Sequence, residues 1–124
     1  MKSILVAAGL AALVLSPAYA GCVYPHAPSH IPDGSVATMA QMLAAQKTVQ
    51  NYNNQMNSYL ACIKSAQDKA IAQAATKLTK KQIAEMEQIE VQKNNAAVDQ
   101  LQTVANKFNA QVKIYMAKHK KKSD

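Results

Sequence analysis

Apolar side chains recur every seven residues along the first long segment of the chain, at Met42, Val49, Met56, Ile63 and Ala70. Ala45, Tyr52, Tyr59 and Ala66 stand three residues after the first four. Alternating steps of three and four return a side chain to one face of a helix, so the pattern is an a/d stripe of about four heptads. Leu43 and Leu60 fall beside the stripe and widen it. The spacing predicts a helix over about 39–75, opened by Thr38 and Gln41 in the positions of a capping box. A second capping box, Thr79 with Gln82, follows, and Leu78 and Ile83 are placed around it as a hydrophobic staple. The stripe then resumes through Met86, Ala97, Leu101, Val104 and Ala105 and on to Phe108, Val112, Tyr115 and Met116. This predicts a second helix over about 80–118. Glu87, Glu90 and Asn94 interrupt its apolar face, and their side chains are expected to reach water.

The ninety residues 35–124 hold no glycine and no proline. Tight turns and bulges use those residues, so long helix is the conformation left to the segment. Each helix comes out at about 57 Å, and the joint near Ala75 is short. Matched helices with a short connection pack antiparallel. The expected fold is therefore all-α, a long helical hairpin over 38–118 with a basic tail at 119–124, open to coiled-coil-like oligomerisation. A bare hairpin buries one stripe per helix, so it needs cover from another segment or a second copy. Residues 21–37 are the segment at hand. Pro25, Pro28 and Pro32 favour an extended arm, and Asp33-Gly34 is a turn signal.

The first twenty residues have a different character. Lys2 gives a positive start, 4–15 is an apolar run too short to span a bilayer, and Ala18-Tyr19-Ala20 offers small residues at a cleavage site. These are the three regions of a secretory signal peptide over 1–20. Cleavage after Ala20 would leave 124 − 20 = 104 residues. Cys22 also stands near where a lipoprotein cysteine would, but Tyr19 occupies a position that such sites give to a Leu-like residue. Soluble export to the periplasm or beyond is the expectation, with lipid anchoring at Cys22 the alternative.

Export places Cys22 and Cys62 in an oxidising space, where an even pair is expected to form a disulfide. Cys62 lies 24 residues beyond Thr38, about 36 Å along the helix. The 16 residues from Cys22 to Thr38 span about 50 Å when extended, enough to turn at Asp33-Gly34 and run back. The arm would then lay Val23, Tyr24 and Ile31 over the hairpin.

Charge narrows the partners. The chain has 14 basic residues against 7 acidic ones, and every basic residue is Lys. Acidic partners are implied: an envelope protein, anionic lipid or a cell-wall polymer. Without the planar guanidinium fork of Arg, nucleic acid is disfavoured. Two basic clusters stand out: Lys77, Lys80 and Lys81 at the expected hairpin tip, and Lys118, Lys120, Lys121 and Lys122 at the end of the chain. The second suits the negative end of a helix dipole, whereas the first meets the positive end and is the more informative.

Candidate chemistry is sparse. Cys22, His26 and His30 have C-x3-H-x3-H spacing with Met39 and Met42 nearby, a donor set that would suit copper. In a three-residue-per-turn path, residues four apart point about 120° apart, so His26 and His30 are weak metal candidates. Cys22 with His26 could imitate a nucleophile and base, but the expected disulfide uses the thiol. Glu87 and Glu90 read as a solvated helix face, with Lys93 spaced to interact with Glu90. The chain has no Gly-rich elbow or phosphate loop, so no enzyme and no cofactor are expected.

Several short motifs together resemble a group of small secreted proteins of Gram-negative bacteria. They are Cys22-x-x-Pro25, Pro32-Asp33-Gly34 before Ala37-Thr38, Tyr59-Leu60-Ala61-Cys62, Asn95-Ala96-Ala97-Val98-Asp99, and Phe108-Asn109-Ala110-Gln111-Val112. The resemblance implies an envelope location and adds no activity. By composition the chain is also similar to the small basic helical chaperones of the periplasm. The expected function is contact without catalysis, with an envelope protein or with a second copy through the heptad stripe. A holdase, using Met and Tyr as adaptable apolar contacts, is its specific form. Copper handling is the alternative of a different class.

Overall fold

The computed structural model describes residues 21–74 and 76–120. The expected signal peptide, its cleavage site, Lys121 and Lys122 lie outside the described residues. Two helices, α1 (Met39–Ala74) and α2 (Lys80–Lys120), pack on each other as an antiparallel hairpin. Both starts are fixed by reciprocal capping boxes. The Thr38 amide donates to Gln41 Oε1 at 2.9 Å, and the Gln41 amide donates to Thr38 Oγ1 at 3.2 Å. Thr79 and Gln82 repeat the exchange at 2.9 and 3.1 Å. Each box satisfies two amides that no helical carbonyl reaches. The Ala74 carbonyl accepts the amides of Lys77 and Leu78, which closes α1 just before the second cap.

The second helix runs two residues past the expected 118. Nothing in the sequence breaks it there, and His119 Nδ1 sits 2.8 Å from the Tyr115 carbonyl with the two rings stacked. Positive charge at this end also suits the helix dipole.

The heptad stripe forms the core. Val49, Tyr52 and Met56 of α1 cluster with Ala97 and Val104 of α2, and Met56 and Ala97 are fully enclosed. A second cluster joins Ala37 and Met42 to Tyr115 at the open end of the hairpin. Full burial of a side chain such as Met56 or Ile63 is worth about 1.5–3 kcal/mol. Toward the tip the buried row leaves the strict seven-residue repeat. Gln67 is buried, whereas Ala66 and Ala70 are only half-buried. A straight helix drifts about 20° per heptad against a 3.5 repeat, which brings Gln67 inward after Ile63. Met116 and Leu43, expected on or beside the stripe, are largely exposed. Glu87 and Asn94 are exposed as expected, and Glu90 is half-buried.

The arm is the third layer, on one side only. Cys22 and Cys62 are disulfide-bonded, with Cα atoms 5.7 Å apart. Tyr24 packs edge-on against Tyr59, with ring centroids 5.0 Å apart, and Pro25 is buried. Val23 departs from the expectation and is 81 % exposed. Neighbours in an extended chain point apart, and with Cys22 fixed to α1 its successor turns to solvent. At the other end of the arm, the Asp33 carbonyl accepts the Val36 and Ala37 amides, and Asp33 Oδ1 accepts the Ser35 amide and hydroxyl. This turn docks on α2: Lys118 Nζ donates to the Ser35 carbonyl, and the Gly34 amide donates to Gln111 Oε1.

Candidate functional site

With the arm on one side, the hairpin keeps an opposite side that no segment among the described residues covers. At its open end lies a groove of about 380 Å³, with Met39, Leu43 and Gln46 from α1 and Phe108, Asn109 and Met116 from α2 among its walls. Met39, Leu43 and Met116 are 51–62 % exposed, unusual for large apolar side chains so close together. Val98 and Met116 are 18 residues apart, five full turns, so they lie along one flank of α2. Val91 continues that flank one heptad before Val98, and both are exposed. The sequence held this signal as a second, seven-residue row beside the main stripe. Met116 belongs to the main stripe as well, whereas Val91 and Val98 lie off it.

A larger cleft, about 750 Å³, lies along the edge of the arm, where Val23, Tyr24 and His26 face Gln55, Tyr59 and Cys62. The Tyr52 hydroxyl is buried with no hydrogen-bond partner. Burial first, and then the Tyr24 phenol, raises the Tyr52 pKa above the ordinary phenol value. Burial and the Tyr59 phenol raise that of Tyr24. Asp33 is held below the usual carboxylate range by its hydrogen bonds from Ser35, side chain then backbone, with help from Lys118.

The candidate ligands of the arm are not brought together. Cys22 is bonded to Cys62, which also occupies the thiol that lipid anchoring would need. Met42 is buried. His26 lines the cleft beside Tyr24, whereas His30 lines a separate cavity with Pro32 and Asp33. Among the described residues, no group of three or more His, Cys, Asp or Glu side chains could hold a metal ion. No described helix is long and apolar enough to cross a membrane.

The two basic clusters sit at opposite ends of the hairpin. Lys77, Lys80 and Lys81 are exposed at the tip. Lys118 is turned to the arm, while Lys113 and Lys120 line a hollow with Met116 at the edge of the open-end groove. Between 100 and 120 α2 has four lysines and no carboxylate; between 80 and 99 it has Glu85, Glu87, Glu90 and Asp99 against three lysines.

Neither family models, nor characterised proteins, nor solved structures give a match to this chain.

Proposed function

We propose that this is a non-enzymatic protein of the bacterial envelope that acts by contact, holding apolar segments of other proteins against the side of the hairpin away from the arm. The observation that carries the reading is the exposure of Met39, Leu43 and Met116 around one groove, on a hairpin braced along its other side. Methionine is flexible and polarisable, so a Met-walled groove accepts varied apolar shapes. Lysines at the rim favour acidic or amphipathic clients without fixing a sequence. A signal-peptide-like start and a pair of bonded cysteines support an exported, oxidised location.

The test is suppression of aggregation of an unfolded outer-membrane protein by the oxidised mature chain at near-equal concentration. The holdase reading expects suppression that weakens in a Met39→Glu, Met116→Glu double variant. Aggregation that proceeds unchanged with the unaltered chain removes it.

A further inference from the structure

We infer that Tyr24 of the arm and Tyr59 of α1 form an oxidative cross-linking site, joined carbon to carbon as dityrosine when the exported chain meets hydrogen peroxide and a haem peroxidase. The site lies on the arm's side of the hairpin, away from the groove of the proposed function, and stands without it.

The two rings meet edge to face, with centroids 5.0 Å apart and planes at 76°. Such a contact sets an edge of one ring roughly 3.6 Å from the face of the other, a ring radius inside the centroid distance. Reacting atoms in a near-attack arrangement lie about 3–3.5 Å apart, so little movement is needed. The Cys22–Cys62 bond keeps the rings there. Tyr24 stands two residues after Cys22, and Tyr59 three before Cys62, within one helical turn. Arm and helix are therefore tied a few residues from both rings, which makes their encounter intramolecular. Both rings also line the cleft of about 750 Å³ along the arm, and Tyr24 is 43 % exposed. An oxidant reaches Tyr24 from that cleft. The same space lets the rings turn from crossed planes toward the smaller twist of a biaryl.

Tyr24 and Tyr59 are the one pair of tyrosine rings in contact among the described residues. Tyr52 is 2 % exposed, and Tyr115 stacks on His119 at the open end. Tyr19 leaves with the expected signal peptide. The chain has no Trp to take the oxidation, and both cysteines are bonded, so no thiol quenches it.

One peroxide serves each bridge. Each phenol gives one electron and its hydroxyl proton to the oxidant, leaving a phenoxyl radical whose unpaired electron is shared with the ortho ring carbons. The two unpaired electrons join in one new bond between an ortho carbon of Tyr24 and one of Tyr59. The hydrogen on each joined carbon then moves to its oxygen as a proton, which restores two phenols. Two electrons and two protons have left the protein, and they convert one hydrogen peroxide to two waters. The product is a second rung between arm and α1, closing a loop of 59 − 24 = 35 residues beside the 40-residue disulfide loop. Thiolates attack disulfide sulfur and leave a carbon–carbon bond alone. Oxidation thus makes permanent a clasp that the disulfide makes reversibly.

The experiment treats the oxidised mature chain, at low micromolar concentration, with hydrogen peroxide and peroxidase. Blue dityrosine fluorescence is expected. After reduction and proteolysis, mass spectrometry should find one peptide pair two hydrogens lighter than its parts, bridged between Tyr24 and Tyr59. Tyr24→Phe and Tyr59→Phe keep the ring contact without the oxidisable hydroxyl, and each should lower the fluorescence about tenfold or more. Tyr115→Phe should leave it unchanged. A thiol reductant should lower the melting temperature of the untreated protein and leave that of the bridged protein nearly where it was. Sulfoxides at the exposed Met39 and Met116 report that the oxidant has reached the chain. Sulfoxides without a bridge, a bridge to Tyr52 or Tyr115, bridges only between chains, or a bridged protein that reductant destabilises as before overturns the inference.

Discussion

The Gly34 amide donates to Gln111 Oε1 at 2.9 Å, across 77 residues of sequence, and the backbone of Gln111 occupies the space a side chain on Gly34 would need. The disulfide ties the arm to α1; this contact ties its other end to α2. The arm is thus a strap that starts about two thirds of the way along α1 and ends on α2 at the open end of the hairpin, where no covalent loop joins the helices.

Gly34→Ala tests the strap directly. A Cβ there would overlap the Gln111 carbonyl oxygen and lie 2.9 Å from the Tyr115 amide nitrogen. Both are helix backbone and do not yield, so the turn must lift from α2. The expected loss is about 1–3 kcal/mol, in line with overpacking elsewhere, read as a lower urea midpoint. An unchanged midpoint would show that the turn does not bear on α2.

Removing the disulfide should cost more. The bond closes a loop of 40 residues, which the chain-entropy model values at about 4 kcal/mol. Paired Cys22→Ser and Cys62→Ser substitutions are expected to lower the melting temperature markedly while helical content persists, because the caps and the core stripe stay in place. Thermal melts of oxidised, reduced and double-Ser protein check this, and reduced and double-Ser forms should coincide.

Tyr52→Phe should behave against custom. Replacing a buried tyrosine usually costs a hydrogen bond, but this hydroxyl has no partner. Deleting it removes a desolvation penalty of about 1–3 kcal/mol, so the variant is expected to be as stable as the parent or more so. The same group sets an alkaline limit. Its folded pKa is raised, so the stability it contributes is intact below the ordinary phenol value and is lost as pH rises through the folded value. Tyr52→Phe should therefore flatten the alkaline fall in melting temperature, and ultraviolet titration should lose one late-ionising phenol.

Asp33 sets the acid side. Its folded pKa is depressed, so its contribution is present above the ordinary carboxylate value and is lost as pH falls through the lower folded one. Asp33→Asn keeps an oxygen for the Ser35 amide but loses the charge near Lys118. The variant should melt slightly lower than the parent at neutral pH and match it once the parent's carboxylate is protonated. The carboxylate is exposed, so a small difference is expected. Hydrogen exchange at the Ser35 amide reports it locally.

The main stripe and the two capping boxes made the hairpin legible in the sequence, because helix periodicity and end-capping are local properties of a few neighbouring residues. The Cys22–Cys62 bond was legible from an even pair of cysteines behind a signal-peptide-like start, with an arm long enough to let them meet. Gln67 was not, because the slow drift of a straight helix against the seven-residue repeat selects which polar residue is drawn inside. Leu43, beside the stripe, and Met116, on it, are open, since periodicity gives a side chain's direction but not what lies in front of it; Val23, expected over the hairpin, is open because its neighbour Cys22 takes the inward position.

Two capped rods, the row of side chains that joins them, and a leading segment long enough to fold back are all written in local sequence. On which side that segment lies, and therefore which apolar flank is left open, follows from long-range contacts alone. The difference is physical: helix formation and the a/d stripe follow from neighbours a turn apart, while the placement of the arm depends on Gly34 meeting Gln111 and Lys118 meeting Ser35, contacts between residues far apart in the chain.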